Sequence, residues 1–523
     1  MSGTANTIPI AAGPIAAGPL TPGPTRAAAR RRAACARRVG RALALVCALV
    51  AGLGGCATNP ATGERMVSFI SPTEESRIGA EEHGKIVPAM GGAVGHPALQ
   101  AYVSSIGALL GHTSELPNLK FTFTVLDTDM VNAFALPGGY IYVTRGLLAL
   151  ANSEAEIAGV LAHEIGHVTA RHAAQRHTRS VFAGLGAAAL GILTGSGELA
   201  QAAAGGLGAY LRGYSREQEF EADTLGIRYL KRAGFDAGAM ARFLASLRAQ
   251  SQLSARLAGL PPGKVDETDF TSTHPRTLER VQRAAALANG TRPPANPIVG
   301  REVYLGKIDG LVYGDAPEQG FVRGRDFRHP AMRFRFRVPE GFRLINRPRQ
   351  VVATGPSDAA ILFHAAARGN GREPLDYLVN VWAKGVALTQ PERLTINGLP
   401  GATAAVRVRT QQGSALLRTV AIRWGTHMFQ FIFVGPSGAE RALYDVTRET
   451  VSTFEGVSAA EAASWRPYRI RIRRVAPGDT VARLAGQMAV TRLKAEHFRV
   501  INALGPNDAP APGRRVKIIT DRP

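Results

Sequence analysis

Two histidines four residues apart, with a glutamate directly after the first, constrain this chain more than any other feature. His163-Glu164-Ile165-Gly166-His167 can act as a unit only on a helix, because a helix returns positions i and i+4 to one face. Both imidazoles can then reach one metal ion, and Glu164 stands where it can take a proton from an activated water. The flanking sequence reads as that helix. Ser153-Glu154-Ala155-Glu156 fits a capping box, in which the serine and the glutamate satisfy each other's amides. Ile157, Leu161, Ile165 and Val168 fall on one apolar side. The helix is predicted to run to about His172, where Arg171 and His172 suit its negative end.

A third ligand lies on the next strong helical pattern, Ser215 to Ala233. Glu219 and Asp223, in Glu219-Phe220-Glu221-Ala222-Asp223, are again i and i+4. Two histidines and a carboxylate leave a metal position open to water, which is the catalytic arrangement of zinc, with one Zn2+ expected per chain. Asp223 can orient a ligand imidazole through its distal N–H. The rival reading, a solvated helix face, is outweighed by the preceding histidine pair. His172 and His177 read as surface histidines.

Around this centre the chain reads as α+β. Helical patterning runs from about Arg65 to Leu110, followed by strands over 120–126, 131–136 and 140–144, the last two joined by Pro137-Gly138-Gly139. The Gly/Ala-rich stretch 181–211 is expected to form packed or mobile helices over the site, and 260–275 a loop. These motifs together resemble the HtpX and CAAX prenyl protease family of zinc metallopeptidases, in its soluble periplasmic, BepA-like branch. The resemblance covers roughly Cys56 to Asn289 and rests on Asn132 to Gly139, HEIGH at 163–167, Ser215-Arg216 with Glu219 to Asp223, and Thr273-His274-Pro275 with Arg280. It implies a mainly helical, gluzincin-type protease domain with a small β-sheet. It further implies His163, His167 and Glu219 as zinc ligands, Glu164 as base and Asp223 behind the ligands. Asn132, Ala133 and Phe134 become part of an edge strand that pairs with an extended substrate. His274 and Arg280 keep two functional roles open. They stabilise the oxyanion together, or His274 fills the open metal position as a plug; a helix-capping histidine is the plain alternative.

The N-terminus reads as an address. Seven arginines between Arg26 and Arg41 precede an apolar run, Ala42 to Leu53, that is too short to span a bilayer. Leu53-Gly54-Gly55-Cys56 resembles a bacterial lipobox, so 1–55 is expected to be extension and signal peptide, with Cys56 lipidated and the protein held at the outer membrane. Cys35, Cys47 and Cys56 are the only cysteines, so disulfides cannot staple the folded part. The net charge of +22 becomes 22 − 7 = +15 without that segment, which suits anionic partners. No recognition-helix or base-stacking motif supports nucleic acid.

The protease domain is expected over 56–295, a linker over 296–325 and a small α+β domain of unassigned role over 326–460, with Trp382 and Trp424 in its core. Residues 467–521 resemble a LysM module, strand–helix–helix–strand, which implies peptidoglycan as a further partner; a module that only docks on the protease is the alternative. The functional expectation is a zinc metalloendopeptidase of the cell envelope acting on unfolded or misassembled envelope proteins. The alternatives are a peptidoglycan hydrolase and a wall-attached chaperone.

Overall fold

The computed structural model describes residues 55–179, 213–260, 274, 278–290 and 294–522, apart from 349, 367–371, 411–412 and 437. The expectations for 1–54, for 181–211 and for most of the 260–275 loop lie outside these residues. Among the described residues no helix is long and apolar enough to cross a membrane.

The helical patterning after Arg65 begins later than the sequence suggests. A hairpin comes first, β1 (Gly55–Thr58) against β2 (Arg65–Ser68), and then α1 (Pro72–Ala89) and α2 (Pro97–His112). Proline at the start of both helices fits their first turns, where an amide has no helical partner. Three strands follow, β3 (Thr122–Leu126), β4 (Ala133–Leu136) and β5 (Tyr140–Thr144), in spatial order β3-β5-β4. β5 runs parallel to β3 and antiparallel to β4, so β4 is an edge of the sheet. Gly138 at φ 78° and Gly139 at φ 89° make the β4–β5 turn, a backbone state that side-chained residues resist.

After α3 (Arg145–Leu150) comes α4 (Glu154–Thr169), which carries the histidine pair. Only half of the expected capping box forms. Ser153 Oγ accepts from the Glu156 amide, but the Glu156 carboxylate accepts from the Asn152 amide at 2.7 Å instead of from Ser153. The helix also stops earlier than predicted. Arg171 sits at φ 55° and turns the chain, so 172–179 is a separate helical stretch. α5 (Arg216–Arg232) has the full capping box, Ser215 with Gln218. α6 (Gly238–Leu257) and α7 (Leu278–Asn289) complete the layer. One core joins α2, the small sheet and α3 to α7.

The segment expected to be a linker is folded. α8 (Arg301–Ile308) puts Tyr304, Leu305 and Ile308 into that same core, and Tyr304 donates its hydroxyl to the Leu148 carbonyl. The apolar residues after Pro297 outweigh the proline-rich approach. β6 (Val312–Tyr313) and β7 (Phe321–Arg323) follow. Next, a seven-stranded antiparallel sheet over 343–436 packs its phenylalanines, including Phe363, Phe429 and Phe431, against Phe334 and Phe336 in a second core. Trp424 packs at its margin and donates to the Met332 carbonyl, while Trp382 packs on a smaller apolar cluster of the same sheet.

The last unit comes in the expected order, β8 (Tyr468–Arg474), α9 (Val481–Gly486), α10 (Lys494–Ile501) and β9 (Arg515–Thr520). Its β8 pairs with both β9 and β6. Lys517 is completely buried, and its Nζ donates to the carbonyls of Ala149, Leu150 and Ala151 at the end of α3.

Candidate active site

α4 and α5 meet closely because glycines line the crossing. A Cβ on Gly166 would come within 3.1 Å of the Ala222 carbonyl oxygen, and one on Gly226 within 3.1 Å of the His163 amide nitrogen. This approach brings the side chains of the two helices together. His163, His167, Glu219 and His274 each place one ligand-type atom within 4.8 Å of the others. His163 Nε2 stands 3.1 Å from His167 Nε2, 3.3 Å from His274 Nδ1 and 3.5 Å from Glu219 Oε2. His167 Nε2 is 3.6 Å from Glu219 Oε1. All but His274 are buried, and His274 is mostly so.

This donor set fits zinc. Imidazole nitrogens that converge at such distances share too few protons to satisfy one another, and a divalent cation uses all of their lone pairs at once. The far nitrogens are already engaged. His163 Nδ1 lies 2.9 Å from Asp223 Oδ1, and His167 Nδ1 lies 2.7 Å from His172 Nδ1.

Burial disfavours a charged His163, but Asp223 and Glu219 outweigh it and push the imidazole up to about 9. Burial and the neighbouring His163 hold His167 well below the ordinary range. The Glu219 carboxyl stays well below its usual value although burial opposes this, because His274 and Arg280 face it. Burial pushes Glu164 up, against the pull of His274 and His163.

Arg280 takes a different place from the one expected of an oxyanion donor. It is buried, grips Asp223 through Nε and Nη2 at 2.8 Å each, and reaches Glu219 Oε2 with Nη1 at 2.6 Å. Its fork matches two carboxylates and so fixes the metal-facing groups. His274 Nδ1 lies 2.8 Å from Glu219 Oε1, and its Nε2 lies 3.3 Å from Glu164 Oε1. Asn132 and Ala133 line a largely apolar cavity beside His163 and Glu164, with Leu147, Phe243 and Leu244. Ala135 and Leu136 line a second cavity beside His167. Edge strand β4 therefore runs past the whole donor cluster. Phe134 points away into the core, stacked on Tyr142 at 4.7 Å.

Two neighbours escaped the sequence reading. His172, expected at the surface, is fully buried. Tyr214 stacks on His167 with centroids 3.8 Å apart, one residue before the α5 cap. An aromatic residue next to a recognisable helix cap was the one available signal.

Histidines on one helix, a carboxylate on a second and a buried glutamate beside them define a zinc metallopeptidase domain. Residues 97–288 match the sequence model of peptidase family M48. The chain is 31% identical over 246 residues to the beta-barrel assembly-enhancing protease of Escherichia coli (strain K12), covering 45% of this chain and 48% of that protein. It is 35% identical over 199 residues to the putative beta-barrel assembly-enhancing protease of Vibrio cholerae, covering 36% and 39%. It is 30% identical over 233 residues to the mitochondrial metalloendopeptidase OMA1 of Schizosaccharomyces pombe, covering 43% and 64%. The chain thus spans about half the length of the bacterial relatives it matches.

Proposed function

We propose that this protein is a zinc endopeptidase of the bacterial envelope that cuts unfolded or misassembled envelope proteins and is held closed by His274. The observation that carries this reading is the position of His274 Nδ1 among the three ligand atoms, 2.8 Å from Glu219 Oε1. When bound by His163, His167 and Glu219, zinc supplies Lewis-acid activation of water and of the scissile carbonyl. Glu164, buried beside the ligands, holds the proton and returns it to the leaving amine. Edge strand β4 pairs with an extended peptide, and the cavity at Leu147, Phe243 and Leu244 receives an apolar side chain. A strand-binding groove suits chain segments that are not folded.

His274 contacts both the ligand Glu219 and the base Glu164, so its displacement frees both carboxylates for chemistry. As a plug it suits a protease surrounded by folded neighbours. Arg280 is committed to Glu219 and Asp223, which favours the plug over the oxyanion role for the pair. The names of the bacterial relatives support envelope proteins as substrates. Lipidation at Cys56, outer-membrane attachment and peptidoglycan binding by 467–521 belong to the same proposal.

The test compares trapped and released material. Full-length Glu164→Gln protein should bind zinc, cut nothing and retain unfolded envelope proteins, while the wild type releases no muropeptides from cell wall. Muropeptide release would favour the peptidoglycan hydrolase instead. His274→Ala should raise basal cleavage of an unfolded protein; a fall of ~10²-fold would assign the oxyanion role.

A further inference from the structure

We infer that His172 is a positioning residue for the zinc site, the middle member of a hydrogen-bonded relay that runs from His167 through His172 and Glu221 to Asn59. This builds on the zinc reading above. His172 Nδ1 lies 2.7 Å from His167 Nδ1, and its Nε2 lies 3.2 Å from Glu221 Oε2. Glu221 Oε1 accepts from Asn59 Nδ2 at 3.0 Å. Asn59 is itself pinned in the turn of the β1–β2 hairpin. Its Oδ1 accepts from the Ala61 amide, its amide donates to the Glu64 carbonyl, and its carbonyl accepts from Gly63.

The chemistry of the members sets the direction of every bond. An ionised carboxylate can only accept, so His172 must donate through Nε2. A neutral His172 then presents a lone pair at Nδ1. Only one proton fits between two Nδ1 atoms 2.7 Å apart, and it therefore belongs to His167. His167 with a proton on Nδ1 offers its Nε2 lone pair to the centre, which is the tautomer a zinc ligand needs. Glu221 thus determines the state of His167 through an intervening imidazole, without touching it. Asp223 does the same for His163 directly, clamped by Arg280. The two histidine ligands have separate orienting chains, each reaching a carboxylate of α5.

Backbone geometry makes the contact possible. A continuing helix would carry His172 away from His167, but Arg171 at φ 55° turns the chain and returns His172 beneath the ligand. Arg171 is held there by Glu75 and by the Ile70 carbonyl. The relay also links the site to the hairpin that begins at Gly55, so that segment is part of the zinc site's support.

The experiment measures metal binding as well as turnover on the full-length protein. Zn2+ affinity is read by competition with a chelating indicator, and ligand geometry by the visible absorption of the Co2+-substituted protein. His172→Leu and Glu221→Leu should each weaken Zn2+ binding by roughly 10–100-fold and shift the Co2+ bands. Both should lower kcat with little change in KM. His172→Asn, whose Oδ1 can accept near the Nδ1 position, should recover most of the affinity. Asn59→Leu should act in the same direction more weakly. Glu221 is partly exposed, so its variant keeps the test open if His172→Leu does not fold. Folded Glu221→Leu with wild-type Zn2+ affinity and an unchanged Co2+ spectrum would overturn the relay. A wild-type protein that binds neither metal would instead overturn the zinc reading beneath it.

Discussion

Lys517→Met tests how the C-terminal unit is joined to the protease. Lys517 lies in β9, and its ammonium is the partner of three carbonyls at the end of α3, with N···O distances of 2.9, 2.9 and 2.8 Å. Those carbonyls belong to Ala149, Leu150 and Ala151, all buried. Hydrogen bonds to a charged group contribute about 1.5–3 kcal/mol each, so three give roughly 4.5–9 kcal/mol. Against this stands the cost of burying an ammonium, several kcal/mol, which methionine does not incur. Methionine fills the volume but leaves the Ala149 and Ala151 carbonyls without a donor, while the Leu150 carbonyl keeps Asn152 Nδ2 at 3.0 Å. Each unsatisfied buried acceptor costs about 1–3 kcal/mol, roughly 2–6 kcal/mol for the two. At the lower end the melting temperature should fall by roughly 4–8 °C. Calorimetry on the full chain gives this directly. The substitution should also depress peptidase activity, because α3 leads through Asn152 to Ser153, the cap of the histidine-bearing helix. A Lys517→Met protein that melts within about 1 °C of the wild type would refute the reasoning and show that the unit docks without its buried lysine.

The remaining predictions concern the site. Burial pushes the Glu164 carboxyl above its usual 4.5, and a base must be ionised to act. The rate therefore falls as pH drops through that raised value, so the acid limb of the kcat/KM profile should lie above 4.5; a limb below it would contradict the buried base. Gly166→Val should force α4 away from Ala222, costing about 1–3 kcal/mol in overpacking and weakening zinc binding; unchanged metal affinity would show that the helix crossing is not set there. Cys56→Ser should release the protein from membranes, as cell fractionation can show, and an unchanged membrane fraction would remove the lipid anchor from the proposal.

The side chains that converge in the cluster were legible because helical periodicity displays them locally. His163 and His167 are four residues apart, as are Glu219 and Asp223, and a cap announces each helix. The β4–β5 turn was legible through Pro137-Gly138-Gly139, where positive φ requires glycine. The failures have a common physical origin. The helix end at Ala170 depends on Arg171 being held at φ 55° by Glu75, a partner 96 residues away, and nothing near Arg171 encodes that. His172 was consequently placed on the wrong side of the chain. Arg280 was assigned to the reaction centre because its two carboxylates, 57 or more residues away, could not be seen to claim it.

The misread linker carries the same argument further. Proline-rich sequence before residue 298 correctly marks a break in helix, but whether the following segment floats or docks depends on the surface waiting for it. α8 finds the Leu148 carbonyl and the first core, and Arg301 bridges the Asn152 carbonyl to that of Arg515. Arg301 and Lys517 thus converge on residues 149–152, the short connection that leads into the histidine-bearing helix. Local pattern displays the side chains of the donor cluster, while contacts spanning more than a hundred residues hold the segment where their helix begins. Mutations in α8 or β9 should therefore reach the active site without touching it, and they should do so through the start of α4.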